Sequence, residues 1–358
     1  MNILDERHKN RIYTILKILK EKKVSGGNEN FESVGPAWLY VNKLIFNSIN
    51  GIIEYSINEN QKEIDVFKNG AIINSVPENK ICNVLDALGD MSSIHAVPLP
   101  PFINEMLRAM CYEEIVSNEK DRNSLLIEIY DPRLGVNIRQ NFRVISDCEP
   151  LFSSTDSDAT VENIYSTGIK FFNELVDEFG FDNYTDSSIV RNSKDIGFVS
   201  FRSYDVVSEI THGNLELIDS RFPDLFLKIV KHHFTSGIGN LKVHADMFHE
   251  SDVLGYGKTH ISYYEYKIKK FLKACVMGMT LTEYWDGMAR FDGVLTIKKN
   301  GDILEYRPYN FDKFEDLLIK HAVVDTYMII DKELLERSEF PRGERFLKIG
   351  LKNLVIKL

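Results

Sequence analysis

The chain has 358 residues, of which 44 % are apolar and 27 % charged, a globular balance with room for one large domain or two ordinary ones. A formal net charge of −10 weighs against a protein that coats nucleic acid indiscriminately, although a basic cleft on an acidic body is compatible with it. Scattered cysteines (Cys82, Cys111, Cys148, Cys275), a charged start without an apolar signal core, and no apolar run of roughly 18 residues point away from disulfides, secretion and membranes, and toward the cytoplasm.

Residues Asp5 to Glu21 read as a first helix, because Ile12, Ile15, Leu16 and Leu19 recur at helical spacing, and Lys22 to Gly27 ends it. Short apolar runs alternate with turns from Trp38 to Ile73, with a hairpin turn expected at Lys68-Asn69-Gly70-Ala71. Pro98-Leu99-Pro100-Pro101 breaks the backbone ahead of a helix from about Phe102 to Ser117.

The stretch Asn123 to Ser146 reads as two strands joined by a tight turn. Leu125, Ile127 and Ile129 fall on one face, and Leu126, Glu128 and Tyr130 on the other. Asp131-Pro132-Arg133-Leu134-Gly135 supplies the turn, with proline presetting φ and glycine admitting a positive φ. Hairpins of this form hold acidic residues and a lysine around a divalent metal in many nucleases.

Further along, a helix is expected over Val161 to Phe179, a strand over Phe198 to Tyr204 and partly helical structure over Asn214 to Phe234. The Gly-, His- and Asp-rich segment 235 to 259 reads as irregular. Tyr264 to Met279 is a helix with Ile268, Phe271, Leu272, Cys275 and Val276 on one stripe. Val294 to Arg307 is a hairpin around Asn300-Gly301, since that dipeptide favours a type I′ turn. Phe311 to His321 is a short amphipathic helix, and Thr326 to Ile330 and Phe346 to Lys357 close the chain as strands. With no repeat and no clean linker, the expectation is one α/β domain over residues 1–358.

Common catalytic patterns are missing. His232 and His233 are adjacent, and His244 and His249 are five apart, so neither spacing places two imidazoles on one helix face, and no metal site is assigned. There is no nucleophile elbow and no phosphate-binding glycine loop. Glu265 and Lys269 read as an i,i+4 ion pair. Asp302, Glu305 and Arg307 read as the solvated face of the last hairpin. Lys9, Arg11, Arg133, Lys267, Lys269, Lys270 and Lys298 are the cations available to contact phosphates.

Several blocks occur in a telling order. Ile12-Tyr13 and Leu16 to Leu19 come first, then Asn214 to Asp219 with Pro223, then Tyr266 to Leu272, Gly278-Met279 and Trp285-Asp286-Gly287. Gly293 to Ile303, Tyr309-Asn310 and Phe314-Glu315-Asp316 follow, and Phe346 to Ile349 looks like a worn closing strand. This succession resembles the HpaII family of type II restriction endonucleases. The resemblance implies a restriction-endonuclease-like α/β fold, a mixed β-sheet flanked by α-helices, with its core around 100–180 and DNA-facing and dimer-type elements over 205–358. It further implies duplex DNA as substrate, cleavage at CCGG and Mg²⁺ as cofactor, with carboxylates holding the metal and a lysine stabilising developing charge.

Residue by residue, the resemblance is uneven. Asp131 matches the family's second aspartate and Gly135 its turn glycine. The family's first acid, seven positions before that aspartate, falls on Ser124, and its lysine falls on Ile145. The acidic run of the family's first helix falls on Arg7-His8-Lys9-Asn10-Arg11. Glu128 and Asp131 are the acids remaining at the hairpin. The expectation is therefore a DNA-binding member of a restriction or defence system with a degenerate, non-cleaving site, acting as a homodimer or beside a partner subunit. The alternatives are an active Mg²⁺-dependent endonuclease with displaced catalytic residues, and a protein-interaction subunit without a DNA role.

Overall fold

The computed structural model describes residues 6–35, 39–48, 50–90, 99–116, 124–132, 134–146, 150–153, 168–174, 200–206, 209–257, 262–281, 283–298, 301–330 and 345–357. The chain divides into two compact units, one of residues 1–149, 290–317 and 358, the other of residues 150–289 and 318–357. The boundaries at 149, 289 and 317 interleave the two units along the chain, which is why no single linker is visible in the sequence.

The first unit begins with α1 (Glu6–Glu21), whose Ile12, Ile15, Leu16, Ile18 and Leu19 enter the core, and β1 (Lys23–Gly26). Then come β2 (Leu39–Ser48), β3 (Gly51–Asn58), β4 (Glu63–Lys68) and β5 (Ala71–Pro77), an antiparallel meander. The turn expected between β4 and β5 is present, with Asn69 and Gly70 both at positive φ (51° and 82°), as a type I′ bend requires. After α2 (Glu78–Asp90), the helix expected over Phe102 to Ser117 is instead two short helices, α3 (Pro101–Ala109) and α4 (Tyr112–Val116). The break falls at Cys111, whose φ of 54° cannot continue a right-handed helix.

The hairpin read from the sequence is β6 (Ser124–Asp131) and β7 (Val136–Ser146), antiparallel along its whole length. Asp131 O accepts from Leu134 N and Gly135 N, and Gly135 takes φ 66°, so the turn needs glycine there.

The second unit takes over with β8 (Pro150–Ser153), β9 (Gly168–Glu174) and β10 (Ser200–Val206). The helix expected over Val161 to Phe179 is overturned where the structure describes it: residues 168–174 are a strand paired with β10 and later with β14, and the rest of that stretch lies outside the described residues. The alternation Ile169, Phe171, Asn173 fits a strand once sheet neighbours exist on both sides, so tertiary pairing overrides the local helical spacing. Helices α5 (Glu209–Ile218), α6 (Phe222–Ser236), α7 (Leu241–Ser251) and α8 (Tyr263–Val276) follow. The segment 235–259 is therefore not irregular throughout. Asn240 caps α7 by accepting from Lys242 N and Val243 N, and Leu241, His244, Ala245 and Phe248 bury one helical stripe.

The first unit resumes with β11 (Gly293–Ile297) and β12 (Ile303–Tyr306), then α9 (Phe311–His321), within which the chain passes to the second unit. Residues 299–300, and so the first half of the expected Asn-Gly turn, lie outside the described residues. Strands β13 (Ala322–Ile330) and β14 (Arg345–Ile356) finish the second unit's antiparallel sheet, ordered β10-β9-β14-β13 with β8 also on β14.

The first unit's nine-stranded sheet runs β1-β12-β11-β7-β6-β2-β3-β4-β5, and β1 also pairs with β2. It is mixed, because β11 lies parallel to β7 and β1 parallel to β12, while the other pairings are antiparallel. One face of the central hairpin carries Leu125, Ile127, Ile129, Phe142 and Val144 into the core shared with α1. Each such side chain contributes about 1.5–3 kcal/mol by leaving water. The opposite face of the same hairpin carries the polar residues.

Candidate functional site

Strand register decides which hairpin residues can meet. Ser124 lies directly across from Arg143, Leu126 across from Asn141 and Glu128 across from Arg139. Since side chains alternate along a strand, Ser124, Asn141, Arg143 and Ile145 share the face away from the α1 core. Ser124 Oγ donates to Asn141 Oδ1 at 2.5 Å. The Asn141 backbone N–H donates to Asp292 Oδ2 at 2.7 Å, and Asp292 N donates back to Asn141 O at 2.8 Å. Asp292 precedes the first residue of β11, so the parallel pairing of β11 with β7 delivers it to this face.

Gly293 permits that approach. A Cβ there would stand 2.8 Å from Phe142 Cε1 and 2.8 Å from the Tyr306 carbonyl oxygen, closer than packed atoms allow. Ile145 is buried and pairs with Thr296 of β11, also buried. The face thus holds a hydroxyl, an amide, a guanidinium and one exposed carboxylate.

Of the two remaining acids named from the sequence, neither joins this group. Glu128 Oε2 accepts from Arg139 Nε at 2.9 Å, with Arg139 largely exposed, which makes this a surface pair of small energetic weight. Asp131 is on the other face, 1 % exposed.

Asp131 belongs to a second group that the sequence reading missed. Arg307 Nη2 donates to Asp131 Oδ2 at 3.3 Å, Nε donates to Glu305 Oε2 at 3.0 Å, and Nη1 donates to Gln140 Oε1 at 3.2 Å. Tyr309 OH donates to Glu305 Oε1, and the Arg307 guanidinium lies 5.0 Å from the Tyr309 ring centroid. Burial, followed by the neighbouring Glu305 carboxylate, pushes the Tyr309 phenol up to about 12. The solvated hairpin face expected for Asp302, Glu305 and Arg307 is therefore wrong for two of the three. Asp302 is exposed, but Glu305 is 0 % and Arg307 4 % exposed, because β12 is flanked by β1 and β11 and buried on both faces.

The cations proposed as phosphate contacts divide between the units. On α8, Lys267 is ion-paired with Asp219, Lys269 with Glu265 at 2.5 Å as expected, and Lys270 lies 5.2 Å from the Tyr266 ring centroid. In the first unit, Lys298 lies 5.6 Å from the Phe31 ring centroid, and Lys9 and Arg11 are partly buried on α1. Arg133, like the side chains of Arg7 and His8, lies outside the described residues.

A family model described as HpaII restriction endonuclease matches residues 8–350. The chain belongs to the HpaII restriction endonuclease family. It is 24 % identical over 329 residues to the type II restriction enzyme HpaII of Haemophilus parainfluenzae, covering 88 % of this chain and 81 % of the relative. No solved structure matches at a significant level. The mixed sheet with flanking helices is the restriction-endonuclease-like architecture expected of an HpaII-family chain.

HpaII-family membership raises the question of a divalent metal, and the described residues of this face do not fit one. A hard cation such as Mg²⁺ takes six oxygen ligands, with carboxylates to balance its charge. Among the described residues the Ser124 face offers Asp292, which accepts from the Asn141 backbone, and Glu128, which is paired with Arg139, while its hydroxyl and amide bond to each other. The Asp131 and Glu305 carboxylates stand on the other face, where both are ion-paired with Arg307. Among the described residues no group of three or more His, Cys, Asp or Glu could hold a metal ion, and no helix is long and apolar enough to cross a membrane.

Three residues of the candidate face escaped the sequence reading: Asn141, Arg143 and Asp292. The period-two count from Ser124 across the turn finds the first two, since both fall on the Ser124 face of β7. Asp292 has no comparable local signal, because its partner on β7 is 151 positions away.

Proposed function

We propose that this chain is a duplex-DNA-binding protein of a restriction or defence system that keeps the HpaII-family scaffold and does not cleave. The observation that carries this reading is the pairing of Ser124 with Arg143, with Ile145 two residues further on the same face. Against the family pattern the first acid falls on Ser124, the second on Asp131 and the lysine on Ile145. Those positions hold a hydroxyl, a carboxylate buried against Arg307, and a buried hydrocarbon.

Hydrolysis of a phosphodiester needs a hydroxide and a concentrated positive field on the pentavalent phosphorus. Ser124 and Asn141 are neutral, Ile145 supplies no charge, and among the described residues no group of three or more His, Cys, Asp or Glu is gathered there to hold a metal. Arg143, 9 % exposed, is the permanent cation directly across from Ser124. A planar guanidinium binds a phosphate through paired N–H donors and does not activate water. On this reading DNA is bound without Mg²⁺.

The test is incubation of the purified chain with CCGG-containing and scrambled duplexes, in Mg²⁺, Mn²⁺ or EDTA. Gel-shift binding that weakens steeply with salt, equally strong in EDTA, with no cut product, is the expected result. Specific double-strand cuts in either metal would establish an active endonuclease with displaced catalytic residues. No shift at low salt would leave the protein-interaction reading.

A further inference from the structure

We propose that His232 and His244 form a two-imidazole chelate for a transition-metal ion of zinc type, a site in the second unit separate from the hairpin face.

The two histidines come from different helices, so their sequence spacing gave no hint. His232 is on the last turn but one of α6 and His244 on the first turns of α7. Their Nδ1 atoms are 3.1 Å apart, with the rings nearly perpendicular at 82°. With a zinc–nitrogen bond of 2.0–2.1 Å, two nitrogens at that separation subtend about 98° at a shared ion, between the octahedral and tetrahedral angles.

The second observation is orientation. His244 Nε2 lies 2.7 Å from the Ile238 carbonyl oxygen, which can only accept, so that nitrogen carries the proton and Nδ1 is left with a bare lone pair. A ligating histidine typically has its far nitrogen anchored to a carbonyl or carboxylate in this way. In the metal-free chain the two Nδ1 atoms share one proton, donated by His232. On binding, that proton moves to His232 Nε2, both Nδ1 lone pairs turn to the ion, and no net charge is lost.

The pair is held rigidly. Asn240 caps α7 just before His244, and Phe248 lies 5.8 Å from the His232 ring and 5.7 Å from the His244 ring, centroid to centroid. Access exists on one side, where the exposed Ser236 Oγ stands 3.5 Å from His232 Nδ1. No third His, Cys, Asp or Glu joins them among the described residues, so water completes the coordination. Imidazole selects zinc, nickel or copper over magnesium, which prefers oxygen.

The experiment is calorimetric titration of the EDTA-stripped full-length chain with ZnCl₂, for the wild type and for H232Q, H232N and H249Q. His232 is half-exposed, so its replacement spares the fold, and matching far-UV circular dichroism checks that both His232 variants are native. The expected result is one saturable zinc per chain, weakened at least tenfold in H232Q and H232N, unchanged in H249Q and not displaced by excess Mg²⁺. No saturable binding by the wild type, binding that survives in both native His232 variants, or equal loss in H249Q would overturn the proposal.

Discussion

Arg307 reaches Asp131 across 176 positions of chain, its Nη2 3.3 Å from Asp131 Oδ2, and the same guanidinium donates to Glu305. Two carboxylates that are almost wholly buried thus share one internal cation at the end of the hairpin. Asp131, which matches the HpaII family's second aspartate, is in this way committed to structure. Removing the guanidinium deprives both buried carboxylates of this shared cation. Arg307→Met is expected to cost about 3–5 kcal/mol in urea unfolding. Adding Glu305→Gln should restore part of that loss, because the second variant removes one of the two buried negative charges. A loss below about 1 kcal/mol for Arg307→Met would show that the network carries little stability.

Arg143 makes a prediction about binding. If its guanidinium meets a phosphate, Arg143→Gln should weaken duplex binding at least tenfold and reduce the slope of log affinity against log salt by about 0.9, the value for one phosphate contact. Fluorescence anisotropy across a salt series measures both quantities. Unchanged affinity and slope in a folded Arg143→Gln chain would remove the residue from the interface.

The contrast between Arg143 and Arg307 shows what a sequence can disclose. The β6–β7 hairpin was legible because its alternation and its turn are local, and the β4–β5 turn and α8 were legible for the same reason. Given the turn, period-two counting also places Arg143 against Ser124. Glu305 and Arg307 were read as solvated because charged residues usually are, and only the flanking strands β1 and β11 reveal otherwise. The reading of 168–174 as helix failed because β10 and β14 impose the strand from outside the segment. Helix α7 was hidden by its glycine- and histidine-rich surroundings, although Asn240 and the buried stripe from Leu241 to Phe248 are a sufficient local signal.

Gly293 tests whether the meeting of β7, β11 and β12 is as tight as it looks. A methyl group there would press on the Phe142 ring and on the Tyr306 backbone oxygen, and the backbone cannot yield without shifting a strand. Gly293→Ala is expected to destabilise by about 1–3 kcal/mol, the range for overpacking. Gly135→Ala, in open space but at φ 66°, should cost about 1–2 kcal/mol from backbone strain alone. Thermal or urea unfolding of the two variants measures both effects, and a neutral Gly293→Ala would show that the strand junction is looser than drawn.

Magnesium provides the most direct check on the hairpin face. An ion present at 100 times its dissociation constant stabilises a folded chain by about 2.7 kcal/mol, several degrees in melting temperature for a protein of this size. The wild-type chain should show no Mg²⁺-dependent rise beyond a control matched in ionic strength, because Asp292 is the one carboxylate bonded to the Ser124–Asn141 group among the described residues, and Glu128 on the same face is paired with Arg139. Ser124→Asp alone should behave the same way, since the new carboxylate would face Arg143 and pair with it. In Ser124→Asp combined with Arg143→Ser, the new acid would lose that cross-strand guanidinium and stand beside Asn141, whose backbone N–H holds Asp292. That double variant is expected to gain a Mg²⁺-dependent rise in melting temperature, read by differential scanning calorimetry. A Mg²⁺ shift already present in the wild type would mean that a metal site exists and that the degenerate-site reading is wrong.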